Sequence, residues 1–138
     1  MKAITLRQPW ASLIMDRRRH VIVKTWRVQP GERFVIHSSA GRDDELTKAW
    51  YGNNDEVNLD KVAPKNAILG LVEVKKCFER DLARKSKYDA SSQPPDPNKP
   101  RKKEYAIAVR TIEKLRKPRL NVERPSFRYG AIWEYEYN

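Results

Sequence analysis

The sequence predicts an α+β protein in which a barrel or sandwich of five to six strands carries one to three short helices. Apolar and β-branched runs recur along the chain and are separated by turns rich in Gly and Pro, a pattern typical of such folds. Two helix signals fall in the N-terminal third. A chain of 138 residues has room for one domain with one core, so we expect residues 1–138 to form a single domain.

The strand predictions rest on short apolar runs, on alternation and on β-branched residues. Residues 67–74 (AILGLVEV) give the strongest signal, because near-continuous apolar character is typical of a strand covered on both faces. The predicted strands are 2–6, 20–27, 33–37, 67–74, 105–109 and 131–137.

The helix predictions rest on spacing and on residues that suit helix ends. Pro9 suits the first position of a helix, and the apolar residues that follow at helical spacing predict a helix over 9–17. Acidic residues at 43–45 would lie near the positive end of a second helix, which we expect to end at Tyr51. Residues 53–66 are polar and are predicted to form a loop.

Residues 85–103 differ in composition from the rest of the chain. Residues 91–100 contain four prolines and lack an apolar anchor. Strand signal resumes at Tyr105, so we expect a mobile Pro-rich loop inside one domain, not a linker between two.

Cysteine content and hydropathy bear on the compartment. The single cysteine, Cys77, cannot form an internal disulfide, which favours a reducing compartment. The sequence shows neither a signal-peptide pattern nor the roughly 18 apolar residues that a membrane-spanning helix needs. We therefore expect a cytoplasmic protein, or a nuclear one if the source has a nucleus.

The charge of the chain is strongly positive and segregated. The formal net charge is +11, which attracts polyanions. Residues 16–27 contain five cations and one acidic residue, and residues 114–128 contain six cations and one acidic residue. A third basic cluster lies at 99–103, whereas acidic residues concentrate at 43–45 and 55–60. Such segregation is what a surface that follows a phosphate backbone needs.

Aromatic residues accompany these cations. Trp26 lies beside Lys24 and Arg27, and Phe127 and Tyr129 flank Arg128. Nucleic-acid bases can stack on such rings while the cations hold phosphates. Interleaving of cations and rings in two separate segments favours nucleic-acid binding over a purely structural role for the rings.

Several runs of residues together resemble a known family. They are residues 6–14 (LRQPWASLI), Trp26, residues 36–39 (IHSS), residues 67–73 (AILGLVE) and residues 130–133 (GAIW). The chain is similar to the ASCH domain of the PUA-like superfamily over most of its length, except roughly 41–63 and 80–104. The resemblance implies a PUA-like mixed β-barrel with short flanking helices and a cleft between the N-terminal helix and the sheet. It also implies binding of RNA or other nucleic acid, which family members are proposed to perform.

Some ASCH relatives are hydrolases, and the chain departs from their pattern. The family motif Gly-x-Lys-x-x-Glu-x-Arg-x-Trp falls here on Arg17, Arg19, Ile22, Lys24 and Trp26. Relatives that act as amidohydrolases carry Lys and Thr where this chain has Arg19 and Ile22. Arginine stays protonated and isoleucine offers no oxygen, so that chemistry is not expected. We assign no catalytic residue from the sequence.

Other chemistry finds little support in the sequence. Two histidines and one cysteine give no zinc-binding spacing, and we expect neither a metal nor another cofactor. A metal-free ribonuclease could in principle use His37 with Arg19, Lys24 or Tyr129 as acid, base and cation.

The sequence therefore predicts a nucleic-acid-binding module for RNA or a single strand. Alternatives that stay open are an ASCH-type hydrolase, either a ribonuclease or a modified-nucleoside amidohydrolase, and a protein-interaction domain in a transcription or translation assembly. The choice between RNA and DNA and the oligomeric state also stay open. In the predicted site, cations hold phosphates, Trp26 or Tyr129 stacks a base, and polar side chains contact base edges. The predicted nucleic-acid-binding residues are Arg7, Gln8, Arg19, Lys24, Trp26, His37, Ser38, Arg128 and Tyr129.

Overall fold

The computed structural model describes residues 1–52, 57–80, 103–125 and 132–138. Within them the protein is mixed α+β, with a six-stranded mixed sheet and three short helices, as the sequence predicts at this level. The elements in chain order are β1 (Lys2–Gln8), α1 (Trp10–Met15), β2 (Val21–Lys24), β3 (Arg33–Arg42), α2 (Asp44–Tyr51), α3 (Leu59–Val62), β4 (Ala67–Arg80), β5 (Glu104–Arg119) and β6 (Trp133–Glu134).

The sheet has the strand order β2-β5-β4-β3-β1-β6. Strands β1 and β3 are parallel, because α1, β2 and the turn that follows carry the chain from one to the other. All other neighbours are antiparallel. The two shortest strands, β2 and β6, form the edges.

The sheet curls strongly over its inner face. The Lys24 Nζ on edge strand β2 donates a hydrogen bond of 3.0 Å to the backbone carbonyl of Thr5 on β1. Three strands separate β2 from β1, which in a flat sheet would place them about 19 Å apart, too far for one lysine side chain. In the part of the chain that the structure describes, β2 and β6 do not pair, so the sheet is not closed into a barrel.

Two apolar clusters cover the two faces of the central strand. Leu69 and Val72 of β4 belong to the larger cluster, which also contains α1 and the inner face of the curl. Ile68 and Leu71 belong to a smaller cluster, which the C-terminal residues around Trp133 complete. The prediction that this strand is covered on both sides is confirmed.

Gly70 marks the closest approach of α1 and β5 to β4. A Cβ atom there would lie 2.1 Å from the Glu113 backbone oxygen and 2.9 Å from the Met15 sulfur. Only glycine leaves room for this approach. The C-terminal end of α1 is thereby held against β5.

Two strands are longer than the sequence predicts. β3 continues past His37 to Arg42, because its polar second half pairs with the end of β1, where Gln8 lies opposite Arg42. β5 continues past Val109 to Arg119, because it keeps pairing with β4 while its other face carries exposed charges that lower its hydropathy. Pairing with a neighbouring strand therefore extends β3 and β5 beyond the residues whose local sequence indicates a strand.

Other boundaries also differ from the predictions. Residues 53–66 are not loop throughout, since α3 (Leu59–Val62) forms there with Asn58 as its N-cap. The second strand is shorter than 20–27, and the last is confined to Trp133–Glu134 within the described part of 131–137. The predicted Pro-rich loop, apart from residue 103, lies outside the described residues.

Candidate functional site

Asp16 joins three elements where α1 ends. It is the C-cap residue of α1, and its carboxylate accepts a hydrogen bond from the Tyr51 hydroxyl at 2.6 Å and an ion-pair hydrogen bond from Lys114. Tyr51 closes α2 and Lys114 belongs to β5. Burial and the neighbouring Asp16 carboxylate raise the pKa of the Tyr51 phenol far above its ordinary value, so the hydroxyl stays a hydrogen-bond donor.

A cavity of about 230 Å³ opens beside this junction. Its apolar wall contains side chains from α1, α3, β4 and the end of β5. Its polar edge contains Asp16, Tyr51, Lys61 and Lys114. The cavity therefore lies between the N-terminal helix and the sheet, with cations at its rim.

Two arginines stack on aromatic rings next to the cavity. The Arg18 guanidinium lies 5.1 Å from the centre of the Trp50 ring and 5.3 Å from that of Tyr51, and it donates to the Trp50 carbonyl at 2.6 Å. The Arg19 guanidinium lies 5.2 Å from the Trp50 ring and 5.5 Å from Trp10. We call these five residues the arginine–aromatic stack. Tyr51 belongs to both the stack and the cavity.

A third group of polar side chains lies around Thr5 of β1. The Trp133 Nε1–H donates to the Thr5 hydroxyl at 2.9 Å, and the Thr5 hydroxyl lies 3.0 Å from His37 Nδ1. His37 Nε2 contacts the Val122 carbonyl, which can only accept, so Nε2 carries the proton. In neutral His37, Nδ1 then accepts a hydrogen bond from the Thr5 hydroxyl. The hydrogen bonds thus run in one direction, from Trp133 through Thr5 and His37 to Val122.

Lys24 of edge strand β2 also contacts Thr5. Its ammonium donates to the Thr5 carbonyl, and desolvation by burial, followed by repulsion from Arg124, lowers its pKa to about 8. Burial also lowers the pKa of His37 below its ordinary value; the Val122 hydrogen bond opposes this, and Arg124 adds to it. We call the set of Thr5, Lys24, His37 and Trp133 the Thr5 network.

Gln8 and Ser38 are buried and converge on one backbone carbonyl. Gln8 Nε2 donates to the Pro64 oxygen at 2.8 Å, and the Ser38 hydroxyl donates to the same oxygen at 2.7 Å. Gln8 also accepts from the Ser12 backbone N–H at 3.0 Å. These contacts fix the segment before β4 against β1 and β3. The predicted role of Gln8 and Ser38 in nucleic-acid binding stays a prediction.

The remaining predicted residues have separate settings. Arg7 is exposed, with its side chain lying along Gly41 of β3. Trp26 is half-buried and packs against the larger core cluster. Arg128 and Tyr129 lie outside the described residues.

The structure thus brings Lys24 and His37 together around Thr5, while Arg19 belongs to the arginine–aromatic stack. Sequence reasoning did not single out Asp16, Trp50, Tyr51 or Lys61 for the site. The signal available was the adjacent ring pair Trp50 and Tyr51 at the end of a charged helix. Only tertiary packing joins that pair to the Arg18–Arg19 turn.

Two comparisons with known proteins bear on the family of this chain. A scan against protein-family models gave no match, and a search of curated proteins found no significant match for this chain.

Across the described ranges, the acidic, histidine and cysteine side chains form no group of three or more that could hold a metal ion. In those same ranges, every helix is too short or too polar to cross a bilayer.

Proposed function

We propose that the protein is a nucleic-acid-binding module that takes RNA or another single strand on the arginine–aromatic stack. The observation that carries the proposal is the placement of two guanidinium groups on the faces of Trp50 and its neighbouring rings. Stacking holds the guanidinium groups in place, which reduces the entropy lost when they bind a phosphate in two-point geometry.

The composition of this surface fits a polynucleotide ligand. Trp10, Trp50 and Tyr51 are half-buried, so only parts of their rings remain open to contact with a base. The chain carries a formal net charge of +11, which adds long-range attraction for a polyanion.

The proposal includes the ASCH resemblance and a PUA-like barrel. A cavity beside α1 and the curl of the sheet support this part of the proposal. It also includes the cytoplasm or nucleus as the compartment, which the free thiol of Cys77 supports.

The test is binding of a fluorescent single-stranded RNA of about 12 nucleotides, within the site sizes of single-strand binding folds. Fluorescence anisotropy over a range of salt should show affinity that falls steeply with ionic strength, because phosphate binding releases counterions. The double variant Arg18→Ala, Arg19→Ala should bind at least tenfold more weakly. For this variant, the slope of log affinity against log salt concentration should be shallower by about 0.7 for each phosphate that the variant no longer neutralises.

The matched control for each single arginine variant of the stack is Arg33→Ala, which also removes one positive charge, from an exposed position at the far end of β3. It should change affinity little. Equal decreases in affinity for Arg33→Ala and for each single arginine variant of the stack would contradict a local site. Affinity independent of salt would contradict phosphate binding.

A hydrolase is the second candidate, and the Thr5–His37 hydrogen bond is the observation that favours it. A hydroxyl beside a neutral imidazole nitrogen is an arrangement that can deprotonate a nucleophile. Gel analysis of labelled RNA after long incubation tests this candidate. Cleavage that Thr5→Val abolishes would favour the enzyme, and intact RNA would favour the binding module.

A further inference from the structure

We propose that the outer face of the sheet, where β2, β5 and β4 lie side by side, binds a second copy of this chain. The face carries a group of apolar residues that we call the outer apolar patch: Val21, Val23, Phe78, Ala106 and Ala108. The proposal goes beyond nucleic-acid binding and does not depend on it.

Strand pairing places the outer apolar patch on one face. Cys77, Ile107 and Ile22 lie opposite one another on the three strands, and they belong to the larger core cluster or pack against it. Because successive side chains of a strand point to opposite faces, the neighbours of these three residues point outward. The five patch residues are such neighbours, so they share the outer face of the sheet.

The patch is open to solvent on both sides of its middle strand. Phe78 on β4 is 51% exposed, and Val21 on β2 is 46% exposed. Ala106 and Ala108 of β5 lie between the two outer strands, and their small side chains leave the middle of the patch low. Contiguous exposed apolar surface commonly marks an interaction site, because contact with a partner removes it from water.

Charges of opposite sign lie at the two ends of the patch. Lys76 is exposed and pairs with Ala108 at one end, and Glu104 is the next outward-pointing residue of β5 at the other end. One carboxylate oxygen of Glu104 is buried and accepts no hydrogen bond in the part of the chain that the structure describes. Buried polar atoms are usually satisfied, so this carboxylate would be stabilised by a cation beside it.

This charge pattern is self-complementary. A two-fold axis that lies across the strands, between two facing patches, reverses the strand direction of one copy relative to the other. It places Glu104 of each copy near Lys76 of the other, and Phe78 against its counterpart close to the axis. Two-fold interfaces are of this kind, in which one surface meets itself. A uniformly acidic partner would instead be repelled at Glu104, so a second copy fits the patch better.

The size of the patch and the charge of the chain limit the strength of this association. The patch is about 10 Å wide across its three strands and about 14 Å long between its charged ends, smaller than a standard interface of about 800 Å² per partner. Each copy carries a formal net charge of +11, and the repulsion between copies is screened beyond about 8 Å at physiological ionic strength. We therefore expect a weak, reversible dimer.

Sedimentation equilibrium of the full chain without RNA tests the proposal. At an ionic strength of about 0.15 M, the wild type should change from monomer towards dimer as its concentration rises from about 10 μM to about 1 mM. Phe78→Ser should raise the Kd of the dimer about tenfold or more, because it removes the ring nearest the axis. Leu120→Ser is the matched control, since Leu120 is 60% exposed outside the patch, and it should leave the Kd unchanged.

Exchange of the two charges tests the two-fold arrangement. Glu104→Lys and Lys76→Glu each place like charges opposite one another, so each variant alone should raise the Kd about fivefold or more. An equal mixture of the two variants should recover the wild-type association, because every lysine at these positions then faces a glutamate in the mixed dimer. Circular dichroism checks that each variant is folded, and if Phe78→Ser does not fold, the charge exchange decides alone.

The outcomes divide clearly. Weakening by Phe78→Ser but not by Leu120→Ser, with recovery in the mixture, would support the dimer. A wild type that stays monomeric at about 1 mM, equal weakening by the two serine variants, or a mixture of folded charge variants that associates no better than either alone would overturn it. Because no RNA is present, each of these results is independent of the proposed function.

Discussion

At the scale of single residues, the Thr5 network shows how buried polar groups are accommodated beside the smaller core cluster, to which Trp133 belongs. His37 is 1% exposed, yet both ring nitrogens have partners, and Trp133 packs against the ring edge-on at 5.2 Å. Satisfied polar groups cost little on burial, whereas unsatisfied ones are expensive. Lys24 is the charged member, and burial of its ammonium, followed by repulsion from Arg124, lowers its pKa to about 8.

Lys24 should make the stability of the protein depend on pH in the alkaline range. Its pKa is about 8 when folded and about 10.5 in the unfolded chain, so between these values the unfolded state binds more protons. The free energy of unfolding of the wild type, relative to Lys24→Met, should therefore rise as pH increases from 8 to 10.5. Urea denaturation across this range measures the difference.

Lys117→Met, at an exposed position on β5, is the control for removal of a lysine charge. If the free energies of unfolding of the wild type and of Lys24→Met changed in parallel with pH throughout this range, Lys24 would be solvated in the folded protein.

At the scale of elements, local signals located the start of α2 better than the ends of β3 and β5. The acidic residues at 43–45 predicted the second helix, and Asp43 is its N-cap, accepting from the Leu46 N–H at 3.0 Å. Helix caps act within one turn, so the sequence alone can indicate them. The ends of β3 and β5 depend on pairing with β1 and β4, which are distant in sequence.

Removing the cap should destabilise α2 measurably. Asp43→Ala deletes the acceptor for the Leu46 N–H and should lower the free energy of unfolding by about 1 kcal/mol. Thermal or urea denaturation checks this value. Glu45→Ala, in the exposed first turn of the same helix, should change stability by less than about 0.5 kcal/mol. Equal effects of the two substitutions would contradict a specific capping role.

At the scale of the whole molecule, the apolar core lies on both faces of the central strands. Two clusters, one under the curl and one beneath the C-terminal residues, cover these faces. Phe34 is fully buried in the larger cluster, whereas Phe78 is 51% exposed. Both residues look alike in the sequence, and only the fold separates them.

The two phenylalanines give a matched test of this organisation. Phe34→Ala should lower the free energy of unfolding by about 3–5 kcal/mol, because it leaves a cavity in a packed core. Phe78→Ala should cost well under half of that, since much of the ring already faces water. Denaturation of the two variants side by side is the measurement, and a larger destabilisation by Phe78→Ala would contradict the burial of Phe34 in the core.

For the candidate site, the sequence shows which residue types are present but not how they are arranged. The basic run at 17–19 was evident as charge, but its ring partner Trp50 lies about thirty residues away and joins it only through packing of α2. His37 and Lys24 were chosen as binding residues, yet both are occupied by hydrogen bonds around Thr5. Sequence spacing cannot reveal which polar groups find partners inside the protein.

The sequence by itself determined the α+β class, the doubly covered strand at 67–74, the start of α2 and the strong positive charge. These features follow from local composition and periodicity, which act over a few residues. Tertiary structure alone decided the length of β5, the contact of Lys24 with Thr5 and the cavity at Asp16. Each of these depends on segments far apart in the chain meeting in space, because the curled sheet and the close approach at Gly70 bring them together.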